Sequence, residues 1–171
     1  MTIERNIVLT GPPGSGKSVV GRKLARLLDR PFVDMDAEIE NRLGLTIAEI
    51  FSTRGEDAFR DAESEMCLEL SRRSGLVVAA GGGAILRPEN LEALSSSFLV
   101  NLRAGEDDLV RRTEEKDRRP LLLGDPATRR ARLVALLDER REAYDSVPVQ
   151  VDTTGLNVDE VARRIVEVIA P

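Results

Sequence analysis

The sequence predicts an α/β domain organised around a mainly parallel sheet, and three observations carry that expectation. Five short apolar runs, Ile7–Leu9, Pro31–Val33, Leu76–Ala80, Phe98–Leu102 and Val147–Val151, are bounded by Gly, Pro, Ser or charged residues, as strands buried on both faces would be. Segments with helical apolar spacing separate these runs, so strand and helix alternate. The glycine-rich stretch GPPGSGKS, residues 11 to 18, stands where the first strand would hand over to the first helix.

Taken in order, the first run NIVLT leads through that stretch into Val20, Leu24, Leu27 and Leu28, spaced i, i+4, i+7 and i+8 as one helix face. FVDMD closes the second strand and sets Asp34 and Asp36 two residues apart at its carboxyl end; a strand continuing through both would place them on one face. Residues 36–74 hold about three helical segments punctuated by Gly44 and Gly55, either a substrate-binding subregion (about 36–62) or plain helical cover for the sheet. LVVAA is followed directly by Gly81, Gly82 and Gly83. After the fourth run, TEEKDRRPLLLGDP from Thr113 to Pro126 is charged, then apolar, then turn-forming, which reads as a loop or lid over about 113–125. The last strand precedes a helix marked by Val158, Val161, Ala162, Ile165 and Ile169. With no repeat, low-complexity tract or linker, a single domain over residues 1–171 is expected.

Composition removes several classes of function. At 42% apolar and 32% charged residues the chain is an ordinary globular one, and no apolar run approaches the roughly 18 residues of a membrane span. Met1–Arg5 does not resemble a secretion leader, so a cytoplasmic location and no membrane partner are expected. The absence of histidine removes Ser-His-Asp and Cys-His nucleophile systems and histidine-ligated zinc. Cys67, the single cysteine, reads as a small buried apolar residue, the alternative being a reactive thiol. A net charge of −5 opposes binding along a nucleic-acid backbone, so an anionic small substrate would need a local group of arginines.

GPPGSGKS fits GxxxxGK[ST] at Gly11, Gly16, Lys17 and Ser18, in the strand-to-helix context that motif requires. Gly14, Ser15, Gly16 and Val19 complete the wrap, in which backbone N–H groups and the helix N-terminus face phosphate, Lys17 bridges the outer phosphates, and the Ser18 hydroxyl ligates Mg²⁺. A dinucleotide fingerprint starting at Gly14 fails because position 19 is Val19. Asp34 is the second candidate metal ligand, and Asp36 faces the substrate to orient its hydroxyl; the bland reading of Asp36 is a cap for a helix starting near Ala37. Arg60 and Glu63, three apart on a helix, read either as a held guanidinium or as a solvated surface pair. Gly81, Gly82 and Gly83 allow backbone N–H groups to approach a ligand, or form only a flexible turn.

GPPGSGKS, DMD, GEDAFRDAE at 55–63, GGGA at 81–84 and RRPLL at 118–122 occur in order over nearly the whole chain, and together they resemble the shikimate kinases. The resemblance implies a nucleoside-monophosphate-kinase-type P-loop fold: a three-layer sandwich with a five-stranded parallel sheet flanked by helices, a lid and a substrate-binding helical region. It implies Mg²⁺-dependent transfer of the γ-phosphoryl group of ATP to the 3-hydroxyl of shikimate, on the route to chorismate and the aromatic amino acids. Carried over by position, Lys17, Asp36 and Arg119 are catalytic, with Arg119 as the lid arginine that closes over the phosphates. Gly14 to Val19, Arg112 (stacked on adenine) and Arg119 bind ATP, and Asp36, Arg60, Gly81, Gly82, Gly83 and Arg140 bind shikimate, with Arg141 as the competing choice beside Arg140. Arg111 and Arg118 read as solvated surface charge.

DTTGLN at 152–157 departs from the family, whose members often place a basic residue and a proline there, so the sequence leaves selectivity for ATP open. The competing readings are another small-metabolite kinase, such as gluconate kinase, and a nucleotide-dependent binding module; a monomer is the default state.

Overall fold

The computed structural model describes residues 4–114 and 120–170. Five parallel strands, β1 (Ile7–Thr10), β2 (Phe32–Asp34), β3 (Val77–Ala79), β4 (Phe98–Arg103) and β5 (Val149–Asp152), form one sheet in the order β2-β3-β1-β4-β5. Around it lie α1 (Lys17–Leu28), α2 (Met35–Leu43), α3 (Ile47–Leu70), α4 (Pro88–Ala93), α5 (Glu106–Glu114), α6 (Pro126–Asp145) and α7 (Val158–Ile169). β1 is central, pairing Val8 with Val78 on one side and Leu99 on the other.

Side-chain alternation along the strands divides the core between the two faces of the sheet. Ile7, Leu9, Val77, Val100, Leu102 and Val151 pack against Val20 and Leu24 of α1 and Val161, Ile165 and Ile169 of α7. Val8 and Val78 point the other way, to Met35 and Ile39 of α2 and Ile50, Met66, Cys67 and Leu70 of α3. Burial on both faces holds through β1 and β3 but only partly at β2 and β5, the edge strands, which have a neighbour on one side alone. No helix among the described residues is long and apolar enough to cross a membrane.

Two expectations need correction. Leu27 is 50% exposed, outside the buried face of α1. Gly21 packs so close to Phe32 that a Cβ would lie 2.5 Å from the ring, and the buried face of α1 runs through Val20, Gly21, Leu24 and Ala25. The second strand stops at Asp34, because Met35 already begins α2, so Asp34 and Asp36 do not share a strand face. Asp34, not Asp36, is the cap: its carboxylate accepts from the Ala37 N–H at 3.4 Å. The three helical pieces expected over 36–74 are present, since Gly44 caps α2 and Gly55, at φ 84° and ψ 166°, breaks α3.

Candidate active site

The loop after β1 meets α1 at the carboxyl edge of the sheet, where ligands of open α/β folds collect. Gly16 caps α1 at φ 91°, a conformation that glycine adopts without strain, and having no side chain it leaves the N–H groups of the first turn uncapped. The turn's N–H groups and the helix dipole therefore face a cavity of about 370 Å³, an arrangement suited to phosphate. Gly14, Ser15, Gly16, Lys17, Ser18 and Val19 all line it, with Asp34 and Asp36 across from them. Lys17 is buried, and its Nζ donates to Gly11 O at 2.7 Å and Pro12 O at 3.0 Å.

At the outer end of this cavity, Arg112 donates through Nη1 to Thr153 Oγ1 at 3.0 Å and through Nη2 to Thr153 O at 3.2 Å, joining α5 to the DTTGLN loop. That loop is held by backbone donors: Thr153 N donates to Arg103 O of β4, Thr154 N to the Asp152 carboxylate, and Leu156 N to Thr153 O. Leu156 and Val158 give the wall an apolar surface beside the Arg112 guanidinium.

A second cavity of about 540 Å³ is walled by Arg60, Glu63, Gly81, Gly82, Gly83 and Arg140, with Phe51, Phe59 and Leu121 to Leu123 opposite. Asp36 and Gly82 line both cavities, so the phosphate cradle and the arginine-lined space meet at those two residues. Arg60 and Glu63 are not a solvated pair: Glu63 is 0% exposed, Arg60 9%, and Arg60 Nη1 donates to Glu63 Oε2 at 2.5 Å. Burial raises the Glu63 pKa, and the charge and hydrogen bond of Arg60 oppose that rise.

Two of the three glycines also make room for charged side chains. A Cβ on Gly83 would lie 2.3 Å from Arg60 Nη1, and one on Gly81 would lie 2.3 Å from Glu63 Oε1 and 3.0 Å from Asp36 Oδ1. Gly82 is held from below, its carbonyl accepting from the Tyr144 hydroxyl at 2.8 Å.

Arg140 is 4% exposed and makes no ion pair among the described residues. Its charge acts on buried Glu63, but no carboxylate lies within ion-pair distance of it among the described residues and its Nε has no hydrogen-bond partner there, so the guanidinium can still take up an anion. Arg141 points away into solvent and pairs with Asp138, so of the two neighbours only Arg140 lines the cavity. Arg111 likewise sits on the surface with Asp108. Arg118 and Arg119 lie outside the described residues, as does the 115–119 part of the expected lid. In its described remainder Leu122 is buried against Leu109 and Leu133.

Sequence reasoning missed Glu56, which accepts from Arg60 Nε at 3.2 Å and Nη2 at 2.9 Å, although its i, i+4 spacing was readable. It also gave no role to Tyr144 or Gln150, whose contacts depend on the folded chain.

A family model for shikimate kinase matches residues 13–170. A shikimate kinase of Desulforudis audaxviator is 46% identical over 150 residues, covering 87% of this chain and 78% of that protein. One from Psychromonas ingrahamii is 43% identical over 167 residues, covering 97% and 94% respectively. The structure superposes on the shikimate kinase of Acinetobacter baumannii in complex with shikimate with a TM-score of 0.93 and 38% identity, over 98% of this chain and 94% of that one. This chain, with its phosphate loop opening beside a pair of buried arginines, belongs to the shikimate kinase family.

Proposed function

We propose that the chain transfers the γ-phosphoryl group of ATP to the 3-hydroxyl of shikimate, giving shikimate 3-phosphate and ADP. One observation supports this above the others: a buried arginine with no ion pair among the described residues, Arg140, lines a cavity that joins the phosphate cradle at Asp36. The triphosphate lies along Gly14 to Val19, its charge met by backbone N–H groups and Lys17, with the base against Arg112, Leu156 and Val158. The acceptor's carboxylate sits between Arg60 and Arg140, which brings its ring over Gly82 and a hydroxyl to Asp36. As the oxygen bonds to phosphorus and the bond to the ADP oxygen breaks, Asp36 accepts the hydrogen bond of the attacking hydroxyl and receives its proton. Lys17 stabilises charge on the phosphoryl oxygens, and Arg119 is assigned the same task from the lid.

The residues fit a magnesium ion held mainly by phosphate. Ser18 and Asp34 share the phosphate cavity, and no group of three candidate ligands exists among the described residues, so a hydrated ion with one or two protein oxygens suits the site better than a protein cage would. When bound, Mg²⁺ would neutralise charge between the β- and γ-phosphates. We read the chain as a single catalytic domain, monomeric and cytoplasmic, with small-molecule partners only; sedimentation at micromolar concentration tests the monomer.

The deciding experiment is a coupled ADP-release assay offering shikimate, gluconate and nucleoside monophosphates in turn. Turnover is expected with shikimate, and preferred turnover of gluconate would overturn the proposal. ATP hydrolysis indifferent to all three would favour a binding module instead.

A further inference from the structure

Arg60 carries five N–H donors in a fixed plane, and the structure accounts for three of them. Nε–H and one Nη2–H converge on a single oxygen of Glu56, at 3.2 and 2.9 Å, while one Nη1–H goes to Glu63. One hydrogen remains on each terminal nitrogen, and such a pair is what forks onto a carboxylate. Gly83 presses against the same guanidinium, close enough that a Cβ could not be accommodated. The group is thus fixed on three sides.

The two carboxylates differ in placement. Glu63 is buried in the wall of the acceptor cavity, whereas the Glu56 side chain is 50% exposed and does not line that cavity. Glu56 therefore holds Arg60 from outside, on the edge turned away from the acceptor. It starts the helical piece just after the Gly55 break, which aims its side chain along the helix face at Arg60, four residues on.

We propose that Glu56 is a positioning residue for recognition of the acceptor's carboxylate: it locks the guanidinium plane so that the two remaining N–H groups of Arg60 face the cavity. This rests on the functional reading above. An ordinary half-exposed i, i+4 ion pair would contribute only a little stability and nothing to ligand choice. The two accounts separate when the ligand is varied together with the protein.

The test compares Glu56→Ala with the unsubstituted chain on shikimate and on the analogue whose carboxylate is replaced by hydroxymethyl, with affinity read by titration calorimetry. Glu56→Ala should weaken shikimate about tenfold and leave the analogue and ATP within twofold, so that the loss appears only when the carboxylate is present. Glu56→Gln, which keeps an oxygen at the same reach, should recover part of the loss. Equal weakening of shikimate and analogue, or no change in either, would overturn the assignment. Failure of the unsubstituted chain to phosphorylate shikimate would instead sink the functional reading, a separate and recognisable result.

Discussion

Arg60→Ala removes the hydrogen-bonded counter-charge of a buried carboxylate and leaves it only the weaker field of Arg140. Glu63 is wholly buried, its Oε2 is held by Arg60, and its Oε1 has no hydrogen-bond partner among the described residues. Deleting one member of a buried pair costs about 3–5 kcal/mol, because the other is left uncompensated. For a chain of this length each kcal/mol moves Tm by roughly 2–4 °C, so a fall of at least about 6 °C is expected near neutral pH. The loss must depend on pH. Burial already raises the Glu63 pKa, and removing Arg60 raises it further, so above the unfolded-state value of about 4.3 the folded variant binds a proton that the unfolded chain has released. Stability then declines as pH climbs through that window, and urea midpoints should show a smaller deficit at pH 5 than at pH 8. Arg60→Ala with Glu63→Gln removes the stranded charge, so it should recover much of the stability at pH 8 and flatten the pH dependence. Substrate binding should not follow. Charge-assisted hydrogen bonds are worth about 1.5–3 kcal/mol, so the KM for shikimate should rise roughly 10- to 150-fold in both variants while the KM for ATP stays nearly unchanged. A deficit equal at both pH values, or binding restored along with stability, would refute the reasoning.

Three further outcomes follow from the same geometry. Lys17→Met keeps the buried stem and loses the charge, so turnover should drop by about 100-fold or more with the unfolding midpoint little changed; near-normal turnover would remove the loop from the chemistry. Gly83→Ala puts a methyl 2.3 Å from Arg60 Nη1, so the guanidinium must shift and shikimate affinity should fall far more than ATP affinity, as titration calorimetry would show. Burial pushes the Cys67 thiol up to about 12, so a thiol reagent at pH 8 should label the folded chain orders of magnitude more slowly than the urea-unfolded one, and comparable rates would contradict its burial.

The sheet was legible because parallel strands in the middle of a two-sided core need continuous apolar runs, and those runs stand out between Gly, Pro and charge. The phosphate loop was legible for a related reason: its chemistry is local, built from consecutive backbone groups. The failures are where a local pattern meets a tertiary decision. Asp34 and Asp36 fit a strand equally well by spacing, but Asp34 can satisfy the Ala37 N–H and so start α2 two residues early. Leu27 fits a helical stripe, yet the buried face of α1 runs through Val20, Gly21, Leu24 and Ala25. Arg60 and Glu63 were recognisable as a pair from their spacing alone, but nothing in the spacing says that Glu63 is fully buried, and that burial is what raises its pKa and makes the pair a buried one.

The two cavity arginines meet the same requirement, a guanidinium held ready for an anion, by opposite means. Arg60 is held by charge: two carboxylates engage it, and together they leave its immediate surroundings net negative. That arrangement orients well but attracts an anion poorly. Arg140 is held by the backbone that carries it. The end of α6 is tied to the sheet by Gln150, whose Nε2 donates to Tyr144 O and Val147 O at 2.8 Å each. Gln150 in turn accepts from Asn101 Nδ2 at 2.7 Å, and the Tyr144 hydroxyl reaches the carbonyl of Gly82, so the anchor runs from the sheet to the floor of the acceptor cavity. No carboxylate among the described residues hydrogen-bonds Arg140, so its charge is offset only through the field of Glu63. On the proposed reading, an incoming carboxylate would be attracted chiefly by Arg140 and aligned chiefly by Arg60. Replacing either arginine by lysine would retain a positive charge, but only at position 60 would it also lose the plane that the flanking carboxylates hold in place.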